Sequence, residues 1–556
     1  MTGQRPSLAI PGAGKGLVFR LLTFPRSSFP ADSVAYMDLE IGSAGDTVQN
    51  QSAALSSSGP LSQQTEADMA SPEVELCADT SSSLKIRGAV FHEGRELYGT
   101  ILATMPVEVL QVVFEFVLAP SLLPPSSGRF GERAITLSLT EDHRLHAPFQ
   151  LAMVCSYWRK VLLAMSCAWA YVGMPVWRRW SHGDLEILKV ALARSRTAPL
   201  DVVLRRILAD RHGLVLEAFD LLLADVHRWK RAEIKVPASR CIAVALERCF
   251  RQSTPFLTLL VITADAPVTV EVKSFFPDAP RLATLAVDRI NLSKSVENAS
   301  IYLSLTTLKL TNHISLVILA TLLSTCAKTL RDLRLENIRS HLGDLDEHVF
   351  PVVLPMLDSL EFMNAIPSLR SDTPLIVAPR LKRLLLHSEA LQSYARTFIN
   401  AVAPTVVELA LCTHMSSDLS TDAAEFLSAL HSVRSLSLGD CPDHRHIMYS
   451  ASSVRSGFFN RLATSPMIFS KLETITVMGT EETRPLTQMT QVGRLSTAIL
   501  AFVRSRKVDL SDMECEAADA TARPSRLKNV VVDYDNMPLS LESDIRELLA
   551  VGGSAQ

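Results

Sequence analysis

The sequence predicts an α/β fold in which a small N-terminal helical domain precedes an irregular repeat array, with a curved parallel β-sheet inside and helices outside. Three observations predict it. An apolar pattern L-x-x-L-x-L returns at a nearly constant interval through the C-terminal half. The segments between its copies carry helical periodicity. Ahead of the array, residues 105–118 and 148–172 read as helical blocks separated by a Pro- and Ser-rich stretch.

Composition bounds what the chain can be. Its 556 residues exceed one typical core, so two or more domains or an extended array are expected. With 47% hydrophobic and 20% charged residues the composition is that of a folded protein. A net charge of −3 argues against a nucleic-acid partner, which usually meets a basic face. The nine cysteines show no C-x-x-C pair, which suits reduced thiols better than a disulfide frame or a zinc site. No apolar run approaches the roughly 18 residues that cross a bilayer, so no membrane partner is expected. A cytoplasmic or nuclear location follows.

The elements are taken in chain order. Residues 1–100 are expected to be a mostly disordered leader. Arg5, Lys15, Arg20 and Arg26 stand without an acid in residues 1–31, a weak targeting signature, and Ser43 to Ser83 is too poor in apolar surface to offset the entropy of ordering. PGAGKG, residues 11–16, resembles the end of a phosphate-binding loop. However, Ala9 stands where the first glycine belongs and Gly16 where the metal-binding hydroxyl belongs, so no nucleotide cofactor is expected.

MPVEVLQVVFEFVL, residues 105–118, reads as one helix with Pro106 in its first turn and Thr104 before it as N-cap. Glu108, Gln111 and Glu115 form one narrow polar stripe, and the rest of the cylinder is apolar. That is a wider apolar face than one core requires, so two partners are implied. A flexible insertion at about 119–147 follows. Then PFQLAMVCSYWRKVLLAMSCAWAYV, residues 148–172, opens at Pro148 and breaks near Ser166, with Trp169 a core aromatic.

M-P-V-E-V-L-x-x-V-F followed by V-C-S-Y-W-R-K-V-L-L-A-M-S-C-A-W resembles an F-box, in particular the fungal form with a variable insertion after the first helix. Met105 and Ser156 stand where that family usually has Leu and a basic residue. The resemblance implies a three-helix F-box over residues 101–175 that docks on a Skp-type adaptor and, through it, a cullin scaffold. It places Pro106, Val109, Leu110, Phe114, Val154, Cys155 and Trp158 at or next to that contact. Apolar and aromatic side chains in a desolvated patch are those that carry binding energy.

Residues 176–256 are expected to hold connecting helices and the first irregular repeats, with loose copies at Leu200 and Trp229. The regular copies begin at Leu257, Leu282, Leu305, Leu330, Leu357, Leu381, Val406 and Val433, and further ones at Leu472 and Leu527. A period of 23 to 27 residues with this core is the leucine-rich-repeat signature, which predicts a solenoid over 257–545 and a disordered tail over 546–556. No regular column of asparagines accompanies it. Alternation along each strand sends one set of side chains into the solenoid and the other to its concave face. Lys309, Arg334, Glu361, Arg383 and Glu408 are the charged members expected to meet a target protein. Thr307, Asp332, Ser359, Leu385, Ala410, Ser435 and Ser437 complete that outward set.

No catalytic constellation is found. CPDHRH, residues 441–446, fits no zinc spacing; GDLDEH, residues 343–348, reads as a solvated loop; DYDN, residues 533–536, lacks the glycine of a calcium loop. The expected function is therefore non-enzymatic and free of cofactors and metal. It is a substrate receptor of an SCF-type ubiquitin ligase, with an unknown target protein held by the repeats. The alternative is a repeat scaffold whose degenerate F-box packs only against the first repeats. Exposure of the apolar face of the 105–118 helix separates the two.

Overall fold

The computed structural model describes residues 105–118, 141–174, 181–204, 212–236, 240–270, 278–292, 304–311, 314–336, 350–363, 366–367, 373–387, 395–413, 427–440, 456–465, 467–478, 488–506, 524–533 and 539–550. The leader, PGAGKG, GDLDEH, CPDHRH, most of the 119–147 insertion and residues 551–556 lie outside them.

The fold is mixed α/β, built on one large parallel sheet. Its strands, in chain order, are β1 (Tyr171–Met174), β2 (Leu200–Leu204), β3 (Trp229–Val236), β4 (Leu259–Val270), β5 (Thr284–Leu292), β6 (Thr307–Thr311), β7 (Asp332–Glu336), β9 (Ser359–Phe362), β11 (Arg383–His387), β12 (Glu408–Thr413), β13 (Ser435–Asp440), β14 (Thr474–Met478) and β15 (Asn529–Asp533). Each pairs in parallel with the next of this series, so sheet order repeats sequence order. β8 (Val352–Val353) and β10 (Ile376–Val377) form a separate two-stranded parallel sheet.

All ten copies of L-x-x-L-x-L from Leu257 to Leu527 are strands of the large sheet, and each strand starts two residues after the first apolar residue of its copy. That first residue is buried in every case and anchors the turn into the strand. The next two apolar positions, Leu308 and Leu310 in β6, enter the main core, while Thr307 and Lys309 point to the other face. A carbonyl ladder joins the strand entries where an asparagine column is lacking. From Thr258 to Glu473, nine carbonyls each accept two successive N–H groups of the next strand; at Thr306 these come from Arg331 and Asp332, at 2.8 and 3.0 Å. Each rung satisfies backbone donors that would otherwise be buried without partners.

Helices cover one face of this sheet. α4 (His182–Ser195), α5 (His212–Ala224), α6 (Arg240–Phe250), α7 (Leu316–Cys326), α8 (Ala395–Val402), α9 (Ser456–Thr464), α10 (Gln488–Ser505) and α11 (Leu539–Ala550) contribute to one hydrophobic core that runs from Val172 to Ile545. Ser181 and Asp184 close α4 with a reciprocal cap, Asp184 Oδ2 accepting the Ser181 N–H at 2.8 Å. α11 extends beyond the boundary expected at 545, because Leu541 and Ile545 are buried in that core. Among the described residues no helix is long and apolar enough to cross a membrane.

A second core belongs to the N-terminal helices α1 (Val107–Leu118), α2 (Glu141–Ala152) and α3 (Ser156–Ala164), and gathers Leu110, Phe114, Ala152, Val161, Leu162, Met165, Ala168 and Trp169. Two expectations are corrected here. α2 begins at Glu141, inside the stretch assigned to the insertion, and Pro148 lies within it. The chain then breaks at Met153 and Val154, and Cys155 restarts it as the N-cap of α3, its Sγ accepting the Trp158 N–H at 3.4 Å. The polar run EDHRLH hides the first turns of α2 from a periodicity search.

The two cores share a structural unit. LLAMSCAW (162–169) and LLADVHRW (222–229) both run from a helix end through a 3-10 turn to a tryptophan at the entry to a strand. Trp169 Nε1 donates to the Leu162 carbonyl at 2.9 Å, and Trp229 Nε1 donates to the Leu222 carbonyl at 3.2 Å. Accordingly the last helix of the small domain feeds the first strand of the sheet just as α5 feeds β3. On the other face, α2 sets Leu145 against Tyr171 and Val203 and lays the Arg144 guanidinium 4.0 Å from the Tyr171 ring centroid. β1 sits so close to β2 that a Cβ on Gly173 would lie 2.0 Å from the Val203 carbonyl oxygen, which only glycine permits.

Candidate functional site

The strongest candidate is the outer face of α1. The helix anchors on two fully buried residues one turn apart, Leu110 and Phe114. Phe114 meets Trp158 of α3 edge to face, and the Tyr157 hydroxyl donates to the Met105 carbonyl at 2.7 Å, pinning the helix entry. Only this one stripe is used. Val107, Val109, Val112, Val113, Phe116 and Val117 are exposed, with Phe116 at 81% and Val112 at 65%. The α2–α3 turn adds Met153, 76% exposed, and Val154.

The residues singled out in the sequence therefore separate into two sets. Pro106, Val109 and Val154 are exposed and Cys155 and Trp158 half-buried, whereas Leu110 and Phe114 are wholly inside the small core. The last two support the surface and cannot touch a partner. Val112, Val113, Phe116 and Met153 are exposed as well and were not singled out in the sequence. The excess width of the apolar face was the signal that could have found them. Among the described residues the apolar face of α1 is left exposed, not covered by the 199–236 segment.

The second candidate is the face of the sheet turned away from the helices. Lys309, Arg383 and Glu408 are half-buried there. Arg334 is not an exposed contact residue, contrary to expectation: it is 7% exposed and pairs with Glu361 on the neighbouring strand, Nε to Oε1 3.2 Å, with Met363 Sδ 3.2 Å from its Nη2. Glu361 Oε1 also lies 3.7 Å from Nε2 of the buried His387. Arg383 reaches Asp332, two strands away in the sheet, at 3.2 Å. Leu385 and Ala410 are buried with Met363 and Cys412 in a small apolar cluster. Alternation sends these side chains away from the main core but does not make them solvent-accessible. The charged positions mostly neutralise one another.

No protein-family model matches this chain, and no curated protein matches it. The geometry alone carries the reading. Among the described residues no group of three His, Cys, Asp or Glu side chains is placed to hold a metal ion. Burial pushes the Cys326 thiol up to about 12 and raises that of Cys249 further, so neither offers a thiolate at neutral pH. What the described residues present is an exposed apolar helix face at one end of the strand order of a long parallel sheet.

Proposed function

We propose that this chain is a non-catalytic substrate receptor of an SCF-type ubiquitin ligase, in which α1 and the α2–α3 turn form an F-box docked on a Skp-type adaptor. The parallel sheet and its helices act as an irregular leucine-rich-repeat solenoid that holds a target protein. Through the adaptor and a cullin scaffold, the target's lysines are kept at high effective concentration beside a ubiquitin-charged enzyme. The chain needs no reactive residue of its own for this.

The observation that carries the proposal is the exposed apolar face of α1, Val109, Val112, Val113 and Phe116, together with the exposure of Met153 and Val154 on the α2–α3 turn. A contiguous apolar patch of this kind marks an interaction site. The scaffold alternative needs that face to be covered by the first repeats, and the exposure of Val112 and Phe116 favours the receptor reading over it. The two anchors, Leu110 and Phe114, the latter edge to face with Trp158, already fix α1 in the small core, and apolar surface held in place beforehand binds at a lower entropic cost than surface ordered on contact.

Capture of the purified Skp-type adaptor by the full chain tests the proposal. The natural sequence is expected to retain the adaptor, and a Val112→Asp, Phe116→Asp double variant of unchanged fold to lose it. Failure of the natural, folded protein to bind any adaptor would leave α1 to α3 as a structural cap for the sheet.

A further inference from the structure

The two edges of the large sheet are treated differently. β1, at the N-terminal edge, has four residues, all buried, and α2 packs Leu145 and Arg144 against it. β15 closes the other edge, and among the described residues only β14 pairs with it. Its sequence is NVVVD; Asn529 is exposed and Val531 is 41% exposed, while Val530 and Val532 turn toward the main core. Edge strands are ordinarily guarded by lysine, proline, a bulge or a covering element. The nearest lysine, Lys528, is turned back onto Glu473, Nζ to Oε2 2.9 Å, and does not guard the strand.

We infer that β15 is a self-pairing edge: two copies of this chain join β15 to β15 antiparallel across a two-fold axis, merging their sheets. A two-fold axis perpendicular to a continuous sheet requires one residue to face itself, and the register that pairs all five residues of β15 centres on Val531. Val530 then faces Val532, and Asn529 faces Asp533. No like charges oppose one another in this register, whereas it leaves two valines in contact on the axis. The small helical domain lies at the opposite end of the strand order, so both copies keep α1 accessible. This inference does not depend on what α1 binds.

Sedimentation velocity of the full chain over a concentration series reads the association, and position 531 provides an internal control. The natural sequence is expected to pass from monomer to dimer with concentration. Val531→Lys and Val531→Asp, each placing like charges on the axis, are expected to stay monomeric alone and to form a dimer when mixed. The side chain is exposed, so neither change should disturb the fold, and circular dichroism checks that directly. A natural chain that stays monomeric, a dimer unaffected by Val531→Lys, or charge variants that fail to associate on mixing overturns the inference.

Discussion

The Phe114 ring meets the Trp158 indole edge to face, with centroids 5.0 Å apart and planes at 74°, and this contact sets the orientation of α1. Phe116, two residues on, points into solvent. One helix thus carries a buried aromatic and an exposed aromatic side by side, and under the proposed function they should respond differently to truncation. Phe114→Ala should cost about 3–5 kcal/mol of stability in the small core. Phe116→Ala should change stability by no more than about 0.5 kcal/mol and weaken adaptor capture at least tenfold. Chemical denaturation alongside the binding assay separates the two; equal loss of stability in both variants would contradict this division.

The paired tryptophans make a second prediction. Each indole N–H satisfies a helix-end carbonyl that is otherwise shielded from water, at Leu162 and at Leu222. Trp169→Phe and Trp229→Phe should each lose about 2 kcal/mol, because the carbonyl is left without its donor and the smaller ring leaves a gap. The two effects should add, since the sites lie at the entries to different strands, β1 and β3, and share no hydrogen bond. Guanidinium unfolding of the single and double variants reads both quantities.

The strands were legible because their signal is local. The apolar residue two positions before each strand, and the two that alternate into the core, recur at every copy from Leu257 to Leu527 and need no knowledge of tertiary structure. α7 was legible for the same reason. Burial on the far face was not, because alternation says only that Arg334, Leu385 and Ala410 leave the main core. Whether their neighbours then enclose them depends on residues one and two strands away, such as Glu361, Met363 and Cys412. On α1 the excess of apolar residues was visible, but which stripe becomes the anchor is decided by Trp158, more than forty residues further on. The start of α2 escaped because its polar first turns carry no periodicity.

Arg334 and Glu361 test the corrected view of that face. As a half-exposed contact pair they would matter only to a partner; as a shielded ion pair they matter to the fold, and their side chains are 9% and 15% exposed. Arg334→Met should cost about 3 kcal/mol, because Glu361 keeps a charge with one fewer compensating group. Replacing Glu361 by Gln as well should recover part of that loss. A double-mutant cycle by thermal unfolding gives the coupling directly, and a coupling near zero would return Arg334 to the surface set.

Asp201 lies on the same face at the joint with the small domain, beside Tyr171 and Arg231 on the adjacent strands, with Arg231 Nη1 4.0 Å from its Oδ2. Burial raises its carboxyl above the ordinary value of 3.8, and the attraction of Arg231, Arg144 and Lys230 offsets this only in part. A carboxyl that binds its proton more tightly in the folded chain adds stability below the unfolded value, and that contribution is lost as pH rises through the raised folded one. At neutral pH, then, the ionised Asp201 works against the fold. Asp201→Asn should be at least as stable as the natural chain at about pH 7, while the natural chain gains on it as the pH falls toward about 4. Unfolding midpoints of the two proteins across that range measure the crossing. A variant that is less stable at neutral pH, with a gap that narrows on acidification, would mean that the ion pair with Arg231 outweighs burial and that the joint depends on the charge.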